Sequence, residues 1–195
     1  MTAAGGPGGH AAEGGMLASA VGYALVTTGA VGRGELSLPT PCRGWDLRML
    51  LRHAAESLAA LREGLGTGRV SLCPAADDAR DDPVGAFRER ARLLLHAWAA
   101  AGPSRAVAIA DRCLPADLMA AAGALEIAVH GWDVSRACGQ RRPIPPVLAT
   151  GLLAVAPLLV PADDRAPLFA PAIPVAPTAA PSDRLTAFLG RAPRP

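Results

Sequence analysis

The sequence predicts an all-α fold: a four-helix bundle with an extra C-terminal helix and a Pro-rich tail that docks on the bundle. Three observations predict it. The 195 residues are 51% hydrophobic and only 4% aromatic, and the apolar bulk of Ala, Leu and Val favours packed helices over strands. Residues 47–61 and 84–98 place apolar side chains at helical spacing. Leu118–Val134 is apolar nearly all the way round, the pattern of a buried helix. The length suits one domain with a sizeable core, expected over residues 16–195. Residues 1–15 are Gly-rich and expected to be a disordered tail.

Met16 to Val31 predicts a first helix, weakened by two glycines. No basic segment precedes it, so it does not read as a secretion signal. Leu38-Pro39-Thr40-Pro41-Cys42-Arg43-Gly44-Trp45 cannot be helical with two prolines and a glycine so close. Asp46 follows as an N-cap. Leu47, Leu50, Leu51, Ala54, Leu58 and Leu61 then form one stripe, which Gly64 is expected to end. Gly64 to Asp82 reads as a long polar loop.

Pro83 opens the next helix, with Val84, Phe87, Ala91, Leu94, Leu95 and Trp98 as its stripe and Gly102-Pro103 as its end. Val107 to Ala110 is apolar but too short to classify. Pro115 and Asp117 open the buried helix, which ends near Gly139. These four helices fit an up-and-down or crossover bundle. Pro146 to Leu159 predicts a fifth helix. Pro157 to Pro181, with seven prolines, predicts an extended wrap. Ser182 caps a last short helix carrying Leu185, Phe188 and Leu189, and Gly190 closes it.

Composition excludes several function classes. All 19 basic residues are Arg, and they are scattered at a net charge of +2, which is no nucleic-acid footprint. No stretch is long and apolar enough for a membrane span. Cys42, Cys73, Cys113 and Cys138 form no C-x-x-C pair. They read as free thiols in a reducing cytoplasm. A homodimer is the default expectation for assembly.

The chemistry sits on the buried helix. Glu126, His130 and Asp133 interrupt its apolar surface, and ionisable groups are rarely buried without partners. Glu126 and His130 are four residues apart and share a face. A carboxylate and an imidazole so placed can share a metal ion; a histidine satisfied by a core hydrogen bond is the plainer alternative. His53 lies off the centre of its stripe beside Met49 and Ser57, facing either a neighbouring helix or water. Asp133 could orient an imidazole, cap the helix or meet Arg136. Cys42 is either a reactive thiol or a packed small residue. Trp45 and Trp132 read as packing; His96 and His10 receive no role.

The run Pro39-Thr40-Pro41-Cys42-Arg43-Gly44-Trp45-Asp46, with His53 seven residues on, resembles the second-helix signature of the DinB-like metal-binding proteins. The nearest branch is the actinobacterial mycothiol-dependent maleylpyruvate isomerase N-terminal domains. Glu126-Ile127-Ala128-Val129-His130-Gly131-Trp132-Asp133 resembles that branch's fourth-helix signature. The ending, Phe169 through Asp183-Arg184-Leu185 to Leu189-Gly190-Arg191, is similar to that of its short, single-domain members.

The resemblance implies a DinB-like bundle and a divalent metal on His53, Glu126 and His130. Two imidazoles and one carboxylate leave a fourth position of a tetrahedral ion open, as in catalytic sites. Zinc is the first choice, and nickel, iron and manganese accept the same ligands. The resemblance further implies mycothiol or a similar low-molecular-weight thiol as co-substrate, and a small electrophile as its target. The reaction would be thiol transfer or isomerisation. Isomerases of the family carry a second domain, which the short Pro-rich stretch after Gly139 does not supply. A non-catalytic metal-binding or stress-response module is the alternative; a plain helical bundle that binds protein partners is the third.

Overall fold

A computed structural model of the chain describes residues 8–71, 82–100, 106–161, 165 and 168–193. Four long helices, α1 (Gly8–Thr28), α2 (Leu47–Thr67), α3 (Pro83–Ala100) and α4 (Ala116–Ala137), make the bundle. They close a ring: α1 and α2 each pack on both α3 and α4. The helical stripes face inward as expected, with Leu47, Leu50, Leu51 and Leu58 of α2 and Phe87, Ala91 and Leu94 of α3 all buried. Among the described residues, no helix is long and apolar enough to cross a membrane.

Several boundaries differ from the sequence reading. α1 begins at Gly8, not Met16; Ala11, Ala12 and Glu13 carry the propensity to extend it through the glycines. Residues 1–7 lie outside the described set, as do most of the expected loop after α2, Cys73, and Gly102-Pro103. α2 runs past Gly64 to Thr67, and Gly68 takes the left-handed C-cap at φ 72°. Gly64 serves packing instead: a Cβ there would lie 2.6 Å from the Met119 side chain of α4.

A small three-stranded sheet accompanies the bundle, which the all-α expectation did not contain. β1 (Arg69–Val70), β2 (Ala106–Ile109) and β3 (Arg112–Pro115) lie in that order. β1 runs parallel to β2, and β3 pairs antiparallel with Val107 opposite Leu114. The hairpin turns at Ala110-Asp111, with Ala110 in the left-handed region at φ 53°. Alanine rarely adopts that conformation, so the turn leaves no signal in the sequence. Val107 is buried in the main core and ties the sheet to the bundle.

α5 (Pro146–Leu159) and α6 (Pro181–Phe188) follow. α6 packs on α5, and Leu185 and Leu189 are buried in the main core, so the tail docks. Ser182 does not cap α6; the helix begins one residue earlier, at Pro181. Its hydroxyl instead accepts the Ile144 amide at 3.0 Å, joining α6 to the segment before α5. Gly190 stops α6 at φ 76°, where a Cβ would lie 2.6 Å from the Ala170 carbonyl oxygen. Only glycine fits that combination of conformation and contact.

Candidate metal centre

The turn before α2 forms as its two prolines and glycine dictate. Pro39 bridges to Asp46, and the Thr40 amide donates to the Trp45 carbonyl at 3.1 Å. Gly44 supplies the left-handed residue at φ 80°. Asp46 caps α2, its Oδ1 accepting the Met49 amide at 2.8 Å. The turn sets Cys42 and Trp45 beside the face of α2 that carries His53. Trp45 packs edge-on against the His53 ring, with centroids 4.9 Å apart.

Opposite stand Glu126 and His130 of α4. His53 Nε2 lies 3.1 Å from Glu126 Oε1, and the His53 and His130 ring centroids are 5.1 Å apart. Donor atoms of His53, Glu126 and His130 all lie within 4.8 Å of one another. Donors around a tetrahedral ion with bonds of about 2 Å sit roughly 3.3 Å apart. The donor set and its spacing therefore fit a single small divalent cation. Ser57, one turn beyond His53 on α2, donates its hydroxyl to Glu126 Oε1. His53 thus takes the first of its two options, facing the neighbouring helix, while remaining partly open to solvent.

A second ligand-type group, Cys42, His130 and Asp133, adjoins the first and shares His130. His130 Nδ1 lies 3.1 Å from Asp133 Oδ2, and the Cys42 thiol donates to the same oxygen at 3.3 Å. This group already holds a cation. Arg191 places Nε 2.9 Å from Asp133 Oδ1 and Nη2 2.9 Å from Oδ2, with Nη2 also 3.4 Å from the Cys42 sulfur. Asp133 is fully buried, and the guanidinium grips both its oxygens. Both groups have metal-type spacing, and in the second the guanidinium takes the place a metal cation would need.

Asp133 takes the imidazole-orienting role among its three options. Arg136 instead lies over the Trp132 ring at 5.6 Å. Trp132 is buried in the core. Cys42 is half-buried, and burial together with the Asp133 charge pushes its thiol up to about 12. At neutral pH it is a protonated donor, not a nucleophilic thiolate. His96 is exposed, and the side chain of His10 lies outside the described residues. The sequence reading missed Arg191 and Ser57. Ser57 carried a signal, since it stands four residues from His53 on one helix face.

Ionisation follows the geometry. The hydrogen bond to Glu126 raises His53 above its ordinary 6.5 against the opposing effect of burial. Burial alone would raise Glu126, but the hydrogen bonds from His53 and Ser57 outweigh it and hold the carboxyl below its ordinary 4.5. The folded chain therefore holds the His53 proton more tightly than the unfolded chain. That stabilisation is complete below pH 6.5 and is lost as pH rises through the raised value. For Glu126 it is complete above pH 4.5 and is lost as pH falls through the lowered value. In metal-free protein the Tm difference between wild type and His53→Gln should thus be widest between pH 4.5 and 6.5 and shrink on the alkaline side. A difference flat across alkaline pH would contradict the pairing.

The comparisons with known proteins agree with this architecture. A family model, the mycothiol maleylpyruvate isomerase N-terminal domain, matches residues 20–135, which include all of His53, Glu126, His130 and Asp133. An uncharacterised protein of Mycobacterium tuberculosis, found in two strains, is 30% identical over 164 residues, covering 82% of this chain and 87% of its own. The crystal structure of the mycothiol-dependent maleylpyruvate isomerase superposes with a TM-score of 0.55 at 19% identity, covering 74% of this chain and 67% of that one. At that identity the superposition speaks for the fold alone. With more than half of its length matched, the chain belongs to the mycothiol maleylpyruvate isomerase N-terminal domain family.

Proposed function

We propose that the chain binds a divalent metal through His53, Glu126 and His130 and acts as a low-molecular-weight-thiol transferase or isomerase on a small electrophile. Zinc is the expected ion and a mycothiol-type thiol the expected co-substrate. One observation carries the reading: donors from two helices, 73 residues apart between His53 and Glu126, converge within 4.8 Å in a chain of this family. A divalent ion held there would lower the pKa of a bound thiol and so supply a thiolate at neutral pH.

The surrounding residues prepare the ligands. Ser57 fixes one oxygen of Glu126. Asp133 holds Nδ1 of His130, and an imidazole held at Nδ1 keeps its Nε2 lone pair for another partner. Trp45 packs against the His53 ring and limits how it can turn.

A second reading, a non-catalytic metal-binding module, is favoured by a specific observation. The two acid–base groups beside the three ligands are locked: Asp133 by Arg191 and His130, Cys42 as a protonated donor. Thiol consumption with a panel of electrophiles separates the readings. The metal-loaded wild type should consume thiol above the uncatalysed rate, and His130→Ala should fall to that rate. A wild type that carries metal yet never exceeds background would favour the non-catalytic module.

A further inference from the structure

We infer that Arg191 is a positioning residue for the metal centre: the C-terminal segment supplies the guanidinium that grips Asp133, and Asp133 in turn sets the His130 ring for its ligand role. The inference rests on the metal-binding reading above and concerns how the centre is held.

Arg191 lies 58 residues beyond Asp133 in sequence, yet its side chain reaches the C-terminal part of α4. The approach is built, not incidental. Leu189 is buried, and the Gly190 turn closes against Ala170 with no room for a Cβ. The Arg191 amide donates to the Thr186 carbonyl at 2.9 Å, and Nη1 lies 3.4 Å from the Leu189 carbonyl oxygen. The guanidinium is thus fixed at its root and at its tip. Its side chain is largely buried, 12% exposed, beside a carboxylate that is fully buried.

The tip does two things. It holds both oxygens of Asp133, and so fixes the orientation in which Oδ2 meets His130 Nδ1. It also places positive charge against both Cys42 and Asp133, where the second group of metal-type donors would otherwise compete for a cation. A fork of this shape holds a carboxylate in one orientation, which a single ammonium point charge does not. Loss of a group that orients a metal-bound histidine typically lowers metal affinity by about 10–100-fold. Arg191 acts one residue further out, through Asp133.

The test uses the full chain and cobalt(II) as the probe, read by its visible absorption and by chelator competition. Arg191→Met should weaken cobalt binding by at least about 10-fold. It should also add a sulfur-to-cobalt absorption band as Cys42 and Asp133 become available; the further change Cys42→Ser should remove that band. Should Arg191→Met fail to fold, Arg191→Lys carries the test: it keeps the charge but not the fork, and should weaken cobalt binding severalfold while metal-free Tm changes little. Cobalt affinity within twofold of wild type in the folded variants would overturn the inference and leave the metal reading standing. Failure of the wild type to bind cobalt would remove both.

Discussion

Replacing His130 with alanine should lower the affinity of the chain for zinc by at least about 10-fold, and His53→Ala should do the same. Even groups that only orient a metal ligand cost that much when removed, and a ligand itself costs more. The two histidines come from different helices, so a shared effect would report their meeting around one ion and not a local change in either helix. Zinc remaining after dialysis against a weak chelator, measured as metal per chain, gives the result. His96→Ala is the control, because His96 is exposed on α3 and should leave zinc content unchanged. Unchanged zinc in both ligand variants would defeat the assignment.

The second large effect falls on stability. Asp133→Ala should destabilise metal-free protein by about 3–5 kcal/mol, because it strands a largely buried guanidinium. His130 Nδ1 and the Cys42 thiol would lose their acceptor as well. For a chain of this size the fall in Tm is on the order of 10 °C. Urea unfolding at neutral pH measures it. Replacing both partners, Asp133→Leu with Arg191→Leu, should cost much less than the two single changes together, since no charge is then left buried alone. A loss below about 1 kcal/mol in Asp133→Ala would mean that the pair is solvated and that the tail does not grip the bundle.

Much of the bundle was legible because its signals are local. The stripes of α2 and α3 need only a window of a few turns, and the burial of α4 followed from its lack of a polar face. The pairing of Glu126 with His130 was legible for the same reason, being one helical turn. The position of His53 was not: periodicity left it between a neighbouring helix and water, and only resemblance to a family placed it at the site. Arg191 stood in the family-like ending, but its role was not legible because its partner is 58 residues away and nothing local pairs the two. The sheet was missed because β1 has two residues and the β2–β3 turn uses an alanine in a conformation that normally announces itself through glycine or asparagine. Ser182 stood where a cap would, but a hydroxyl can serve any amide in reach, and Ile144 lay closer than the sequence could show.

X-ray absorption on the zinc-loaded chain tests the central claim most directly, since it reads the atoms bound to the ion. Zinc on His53, Glu126 and His130 predicts one ion per chain with two imidazole nitrogens and a carboxylate oxygen at about 2.0–2.2 Å, and no protein sulfur. A sulfur at about 2.3 Å would place the ion on Cys42 instead, and a spectrum lacking the outer-shell scattering of imidazole would show that the two histidines do not hold it.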